Sequence, residues 1–266
     1  MNPRRLRNLF RLAFTFVAMF APVILPAQQT AAAPATKAAP LQVTAPAWQK
    51  GDYWAAFDHK LMVDFADLAH YRDADVQLPP PAAGENRVVF MGDSITEGWK
   101  LQESFPGKPY INRGISGQTS SQMLLRFRPD VINLKPKVVV ILAGTNDLAE
   151  NTGPVTLDQV ENNLASMADL ASANGIRVVM CSIVPTVRYW WHPGSENPAP
   201  KIAELNKWIK AYAAEKNYPY VDYFSAMADK EGGLPKNLSP DGVHPSAAGH
   251  AIMAPLVEAA IEKALK

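Results

Sequence analysis

From residue 87 onward, short and mostly unbroken apolar runs alternate with segments whose apolar residues recur every three or four positions. That alternation restricts the possible folds more than any other feature of the chain. The runs lie at 87–91, 109–112, 138–143, 177–184 and 219–222. Strands that are apolar at successive positions are covered on both faces, as in a parallel sheet with helices above and below it. Between the last runs the helical spacing is clear. Thr156 opens a helix with Gln159 as its capping-box partner, Leu157, Val160, Leu164, Met167 and Leu170 form its stripe, and Gly175 ends it. Ile202, Leu205, Ile209, Tyr212 and Lys216 mark a second helix. Ile252, Leu256, Val257, Ala260, Ile261 and Leu265 mark the last, in which Pro255 predicts an interruption and a kink. The order of elements predicts a single α/β domain with a doubly wound parallel sheet and no internal repeat.

The first 27 residues are unlike the rest. Arg4, Arg5, Arg7 and Arg11 stand there with no acid, before an uncharged apolar run over 12–25 that contains Pro22. A basic segment ahead of an apolar run too short to span a bilayer comfortably predicts a signal peptide over 1–27, and so an exported protein, periplasmic or secreted. A retained membrane anchor is the alternative. No cysteine follows the run to carry a lipid, and Arg4-Arg5 is a poor twin-arginine signal. Residues 28–47, rich in Ala, Pro, Thr and Gln without a period, predict a flexible linker. The domain then covers 48–266. Trp54, Phe57, Leu61, Phe65 and Leu68 recur at helical spacing and predict a helix over about 50–71 that packs on the main domain.

Charge excludes one class of partner. Setting the four leader arginines aside leaves 22 of the 26 basic residues against 25 acids, a net charge of −3. Nothing in that balance favours nucleic acid, whose binding needs a basic face. Cys181 is the only cysteine and lies inside an apolar run, which predicts a buried thiol and no intrachain disulfide. The histidines lack metal-ligand spacing, and no metal or cofactor is expected.

Four short stretches stand at the ends of predicted strands. In Val88-Val89-Phe90-Met91-Gly92-Asp93-Ser94-Ile95-Thr96 a glycine breaks a strand and places Ser94 at its carboxyl end, where open α/β sheets carry ligands. A serine alone is also a common helix cap. As a nucleophile it needs a base, an orienting group and oxyanion donors. Asn112-Arg113-Gly114-Ile115-Ser116-Gly117 brings backbone close to a ligand, and Gly144-Thr145-Asn146-Asp147 offers a side-chain amide. In Asp241-Gly242-Val243-His244-Pro245 a carboxylate three residues before a histidine can fix its tautomer while the other ring nitrogen faces Ser94.

Together these four blocks, in this order, resemble those of the SGNH or GDSL-type hydrolases, over residues 87 to the C-terminus. Residues 110–147 also resemble the subgroup related to the alpha subunits of platelet-activating-factor acetylhydrolase. Ile95-Thr96 replaces the leucine that names GDSL enzymes. The resemblance implies a three-layer α/β/α sandwich with a five-stranded parallel sheet, flavodoxin-like in arrangement. It further implies Ser94 as nucleophile, His244 as base and then acid, and Asp241 as orienting group. The Ser94 N–H, the Gly114 N–H and the Asn146 side chain would form the oxyanion hole.

The reading is therefore a serine esterase acting on short-chain, foremost acetyl, esters through an acyl-serine. Its substrate would be a small-molecule or glycan ester, with no stable membrane insertion after signal cleavage. Trp190 and Trp191 follow a predicted strand and can hold a sugar ring or line an acyl pocket, or simply pack on the body. A lysophospholipase or thioesterase, an acyltransferase using the same acyl-serine, and a carbohydrate-binding module without turnover are the alternatives.

Overall fold

Five parallel strands form the centre of the molecule: β1 (Val88–Gly92), β2 (Tyr110–Gly114), β3 (Val138–Leu142), β4 (Arg177–Cys181) and β5 (Tyr220–Val221). They pair in the order β2-β1-β3-β4-β5. Val88 faces Tyr110 on one side and Val138 on the other, so Gly92, Gly114 and Leu142 end level. The computed structural model describes residues 52–266, with side chains from residue 55. The predicted signal peptide and linker, and the first residues of the predicted packing helix, lie outside the described residues.

Alternation of side chains along each strand divides the core in two. Val88, Phe90, Val138, Val140, Val179 and Cys181 point to one face, under Met253, Val257 and Ile261. Val89, Met91, Val139, Ile141, Val178 and Met180 point to the other, under side chains such as Phe127, Leu164 and Ile209. The helices that cover the first face include α4 (Leu101–Ser104) and α10 (Ala247–Leu265), and those on the second are α5 (Ser120–Asp130), α7 (Leu157–Ala173) and α8 (Ala199–Glu215). Three layers result, as expected. Each such aliphatic side chain, when fully buried, contributes about 1.5–3 kcal/mol. The short helices α3 (Ser94–Glu97), α6 (Thr145–Leu148) and α9 (Tyr223–Met227) each start close to the end of a strand, and α1 (Asp52–Val63) and α2 (Arg72–Gln77) precede the sheet. Thr156 and Gln159 form the predicted capping box of α7, and Gly175 follows that helix at φ +70°.

Three expectations are corrected. The helix predicted to reach residue 71 stops at Val63. Asp64 takes the Ala69 N–H on its side chain, and Asp67 adopts φ +55°, so two aspartates turn the chain locally instead of continuing the helix. The helix then restarts as α2. The last helix runs from Ala247 through Pro255 to Leu265 without interruption. A proline inside a helix costs about 3 kcal/mol; the burial of Met253, Val257 and Ile261 against the sheet offsets it. The run at 177–184 pairs as a strand only to Cys181. Beyond it the buried Asn206 amide replaces the ladder, accepting from Ile183 N–H at 2.7 Å and donating to Ile183 O at 3.1 Å.

Candidate active site

The strand order reverses between β1 and β3, and ligands of open α/β sheets sit outside the carboxyl ends of the strands at such a point. Ser94 follows β1 there and Asn146 follows β3. The turn that carries Ser94 is tight. A side chain at Gly92 would lie 2.0 Å from Thr96 Oγ1, so only glycine fits. Asp93 caps α3 by accepting the Ile95 N–H at 2.9 Å, and the Gly92 carbonyl accepts from the buried Arg126 guanidinium at 2.9 Å. Ser94 itself is half-buried.

The turn before α10 brings His244 to Ser94. Ser94 Oγ lies 2.9 Å from His244 Nε2, and His244 Nδ1 lies 2.7 Å from Asp241 Oδ2. The other carboxylate oxygen accepts from the backbone N–H groups of Val243 and His244 at 2.9 and 2.8 Å and from Ser239 Oγ at 3.1 Å. Burial pushes this carboxyl up. The backbone N–H of His244, its ring, the Val243 N–H and the imidazole charge outweigh that and hold Asp241 down at about 2. A fixed carboxylate of this kind selects the imidazole tautomer with the proton on Nδ1 and leaves Nε2 free to accept from Ser94.

Asn146 and Gly117 line the same cleft as Ser94. The Asn146 amide donates one hydrogen to Gln118 O at 3.0 Å, and its oxygen accepts from Asn151 Nδ2 at 3.0 Å. That bond fixes which end of the Asn146 amide points into the cleft. Gly114, expected as an oxyanion donor, is not available. Its N–H donates to Asn112 Oδ1 at 2.9 Å, and its carbonyl accepts from the Tyr71 hydroxyl. The absence of a side chain there serves packing, since a Cβ would lie 2.2 Å from Glu97 N. Gly117 lines the cleft instead, at φ +79°, and its N–H has no partner among the described residues. Sequence reasoning passed over Gly117 because both glycines of the block look alike without the fold.

Ser94, Ser116, Gly117, Asn146, Trp190 and His244 line a cleft of about 180 Å³ together with Asn151 and Trp191. Trp190 is 55% exposed, whereas the Trp191 ring lies 6.4 Å from that of His244 and donates to Asn151 Oδ1 at 3.0 Å. Asn151 was not singled out from the sequence. It is buried, and its amide also donates to Gly117 O at 3.1 Å, so one side chain touches the glycine, the asparagine and the tryptophan wall. Beneath the cleft lie two buried acids. Asp147 accepts from Ser120 N–H at 2.8 Å and Ser120 Oγ at 2.6 Å. Burial pushes both Asp147 and Asp93 up to about 6 against those bonds.

Other residues take structural places. Cys181 is buried, and burial raises its thiol to about 12, so it serves as a core residue. Trp99 is buried and stacks on His250 of α10 with centroids 5.0 Å apart. Among the described residues no helix is long and apolar enough to cross a membrane.

Comparison with known proteins shows the family. Residues 90–252 match the GDSL-like Lipase/Acylhydrolase family. Esterase TesA of Pseudomonas aeruginosa is 31% identical over 188 residues, which cover 65% of this chain and 86% of that protein. An acetylxylan esterase of Geobacillus stearothermophilus is 27% identical over 202 residues, covering 63% of this chain and 90% of that one. The crystal structure of a GDSL-like lipase from Bacteroides thetaiotaomicron is 46% identical and superposes with a TM-score of 0.73 over 76% of this chain and all of that one. The chain therefore belongs to the GDSL-like lipase/acylhydrolase family and is a carboxylic ester hydrolase.

Proposed function

We propose that this protein is an exported serine esterase that removes short acyl groups, foremost acetyl, from a carbohydrate-linked ester. The observation that carries the reading is the unbroken chain from Ser94 Oγ to His244 Nε2 at 2.9 Å and from His244 Nδ1 to Asp241 Oδ2 at 2.7 Å. Ser94 attacks the ester carbonyl while Nε2 takes its proton. Asp241 stabilises the imidazolium. The oxyanion gathers at the Ser94 N–H, the Gly117 N–H and the remaining Asn146 amide hydrogen, with Gly117 in the place first given to Gly114. His244 then protonates the leaving alcohol, and water, deprotonated in turn by His244, releases the acid.

Preference for a short acyl group rests on the size of the cleft and on its tryptophan wall. The carbohydrate link rests on the relative named an acetylxylan esterase. Export rests on the basic and apolar pattern of residues 1–27.

Hydrolysis of p-nitrophenyl esters from acetate to palmitate tests the reading. Turnover should fall as the chain lengthens. Ser94→Ala should lose about 10⁶-fold in kcat, the scale of loss in a known serine hydrolase, with an unchanged circular dichroism spectrum. Activity that survives Ser94→Ala in a folded protein would remove Ser94 as nucleophile. Activity rising toward palmitate would turn the reading to lipids, and acyl transfer to an added alcohol in preference to water would turn it to a transferase.

A further inference from the structure

A second cavity, of about 270 Å³, lies under α1 and the turns that follow it. It shares Ser116 with the cleft at Ser94, so the two adjoin across that residue. Ligand pockets usually enclose roughly 300–1,000 Å³. The cleft at Ser94 falls short of that range alone, whereas the two adjacent volumes taken together fall inside it. No step of the esterase mechanism uses the residues of the second cavity.

Its walls are fixed before any ligand arrives. Gln118 donates to Ala66 O at 2.8 Å and Gln122 to Phe65 O at 2.6 Å, which ties the turn at 64–71 to the loop that carries Gly117. Arg113 pairs with Asp75 and lies over the Tyr71 ring at 4.5 Å, holding α2 to β2. Phe57 of α1 rests on the same loop, 3.1 Å from where a Gly117 side chain would begin. Preorganisation of this kind lowers the entropic cost of binding.

The lining has a definite chemistry. Phe57 and Phe65 supply flat apolar faces, and Asp64, Asp67 and Glu97 supply three carboxylates. The one lysine, Lys60, is paired with Asp67 at 2.5 Å. Glu97 accepts from Ser116 N–H at 2.8 Å, and His70 stands between Asp67 and Glu97 at 3.2 and 3.5 Å. A phosphate placed there meets a net negative charge, three carboxylates against one lysine. A neutral ring with hydroxyls finds acceptors at its edge and an aromatic surface for its face.

We propose that this cavity is the alcohol-side subsite, and that it takes the ring of a neutral polyhydroxylated alcohol, a sugar, while the acyl group faces Trp190 and Trp191. The assignment rests on the esterase reading of Ser94.

Calorimetric titration of the full chain carrying Ser94→Ala tests it without turnover. The two probes share an acetyl ester and differ in the alcohol: monoacetylated xylotriose and 1-acetyl-glycerophosphocholine. The sugar ester should bind at least tenfold more tightly than the phosphate ester. Adding Phe57→Ala should weaken the sugar ester at least tenfold. Leu61→Trp, which fills the cavity rather than emptying it, should do the same and keeps the test open if Phe57→Ala loosens α1. Thermal melts check that each variant is folded. The proposal is overturned if folded variants hold the sugar ester within twofold, or if the phosphate ester binds as tightly. The esterase reading fails separately, when protein with Ser94 intact releases no acid from p-nitrophenyl acetate. The titrations report on the cavity in either case.

Discussion

On one side of Ser94 the proposed base and its carboxylate come from a single turn, Asp241 to His244. On the other side the proposed oxyanion donors come from loops that are distant in sequence, at Gly117 and Asn146, with Asn151 bonded to both. The turn is nearly self-sufficient: Asp241 accepts two backbone N–H groups and the ring from within three residues of itself. It is about one-third exposed, and its acid is pushed down. On the donor side Asn146 and Asn151 are buried and depend on neighbours across the fold. Asn146 is oriented by Asn151 and Gln118, the Gln118 side chain is held by Arg126, and the acids beneath are pushed up. Local hydrogen bonds can position a charged group near water. Positioning a donor for a charge that exists only in the transition state takes a dry, crowded wall.

The largest expected effect lies on the turn. Asp241→Asn should cost about 10⁴-fold in kcat, the loss seen when a triad carboxylate is made neutral elsewhere, because the amide favours the wrong tautomer. Steady-state kinetics on p-nitrophenyl acetate reads it, and a loss under tenfold would break the comparison by showing that the turn alone orients His244.

Next comes the donor side. Asn146→Ala should lower kcat by about 10²–10³ with little change in KM, as loss of one oxyanion donor does. Asn151→Ala should cost less, about fivefold for one hydrogen bond of roughly 1 kcal/mol, and should act through Asn146. In the double variant the Asn151 effect should vanish. Independent, additive effects would mean that Asn151 does not position the amide.

The smallest effect concerns stability and sharpens the contrast in sign. Asp241 has its acid lowered from 3.8 to about 2, so it stabilises the fold above pH 3.8 and that contribution is lost as pH falls toward 2. Asp93 has its acid raised from 3.8 to about 6, so ionising it weakens the fold progressively as pH rises from about 4 to 6. Asp93→Asn keeps the helix cap and removes the charge. Urea unfolding at pH 4 and pH 7 should show a smaller drop in stability for Asp93→Asn than for the unchanged protein. An equal drop would remove Asp93 as its source.

Legibility followed locality. The apolar runs announced the parallel sheet because both faces of β1 and β3 are covered, and Thr156 with Gln159 announced α7 because a cap is a contact over three residues. The end of the first helix was missed because Asp64 and Asp67 compete for the backbone, which a stripe of apolar positions does not register. Gly114 and Gly117 were confused because they differ only in what surrounds them: one is pressed against Glu97, the other opens on the cleft. Asn151 carried no local signal at all.

The sequence by itself determined the layers of the fold, the family blocks and the Asp241–His244 pair, since each depends on the spacing of neighbouring residues. Only the tertiary structure decided which glycine lines the cleft at Ser94, which side chain bonds the Asn146 amide oxygen, and that α1 closes a second cavity beside the cleft. Those features depend on side chains brought together across dozens of residues by the sheet and its covering helices, and no periodicity along the chain encodes them.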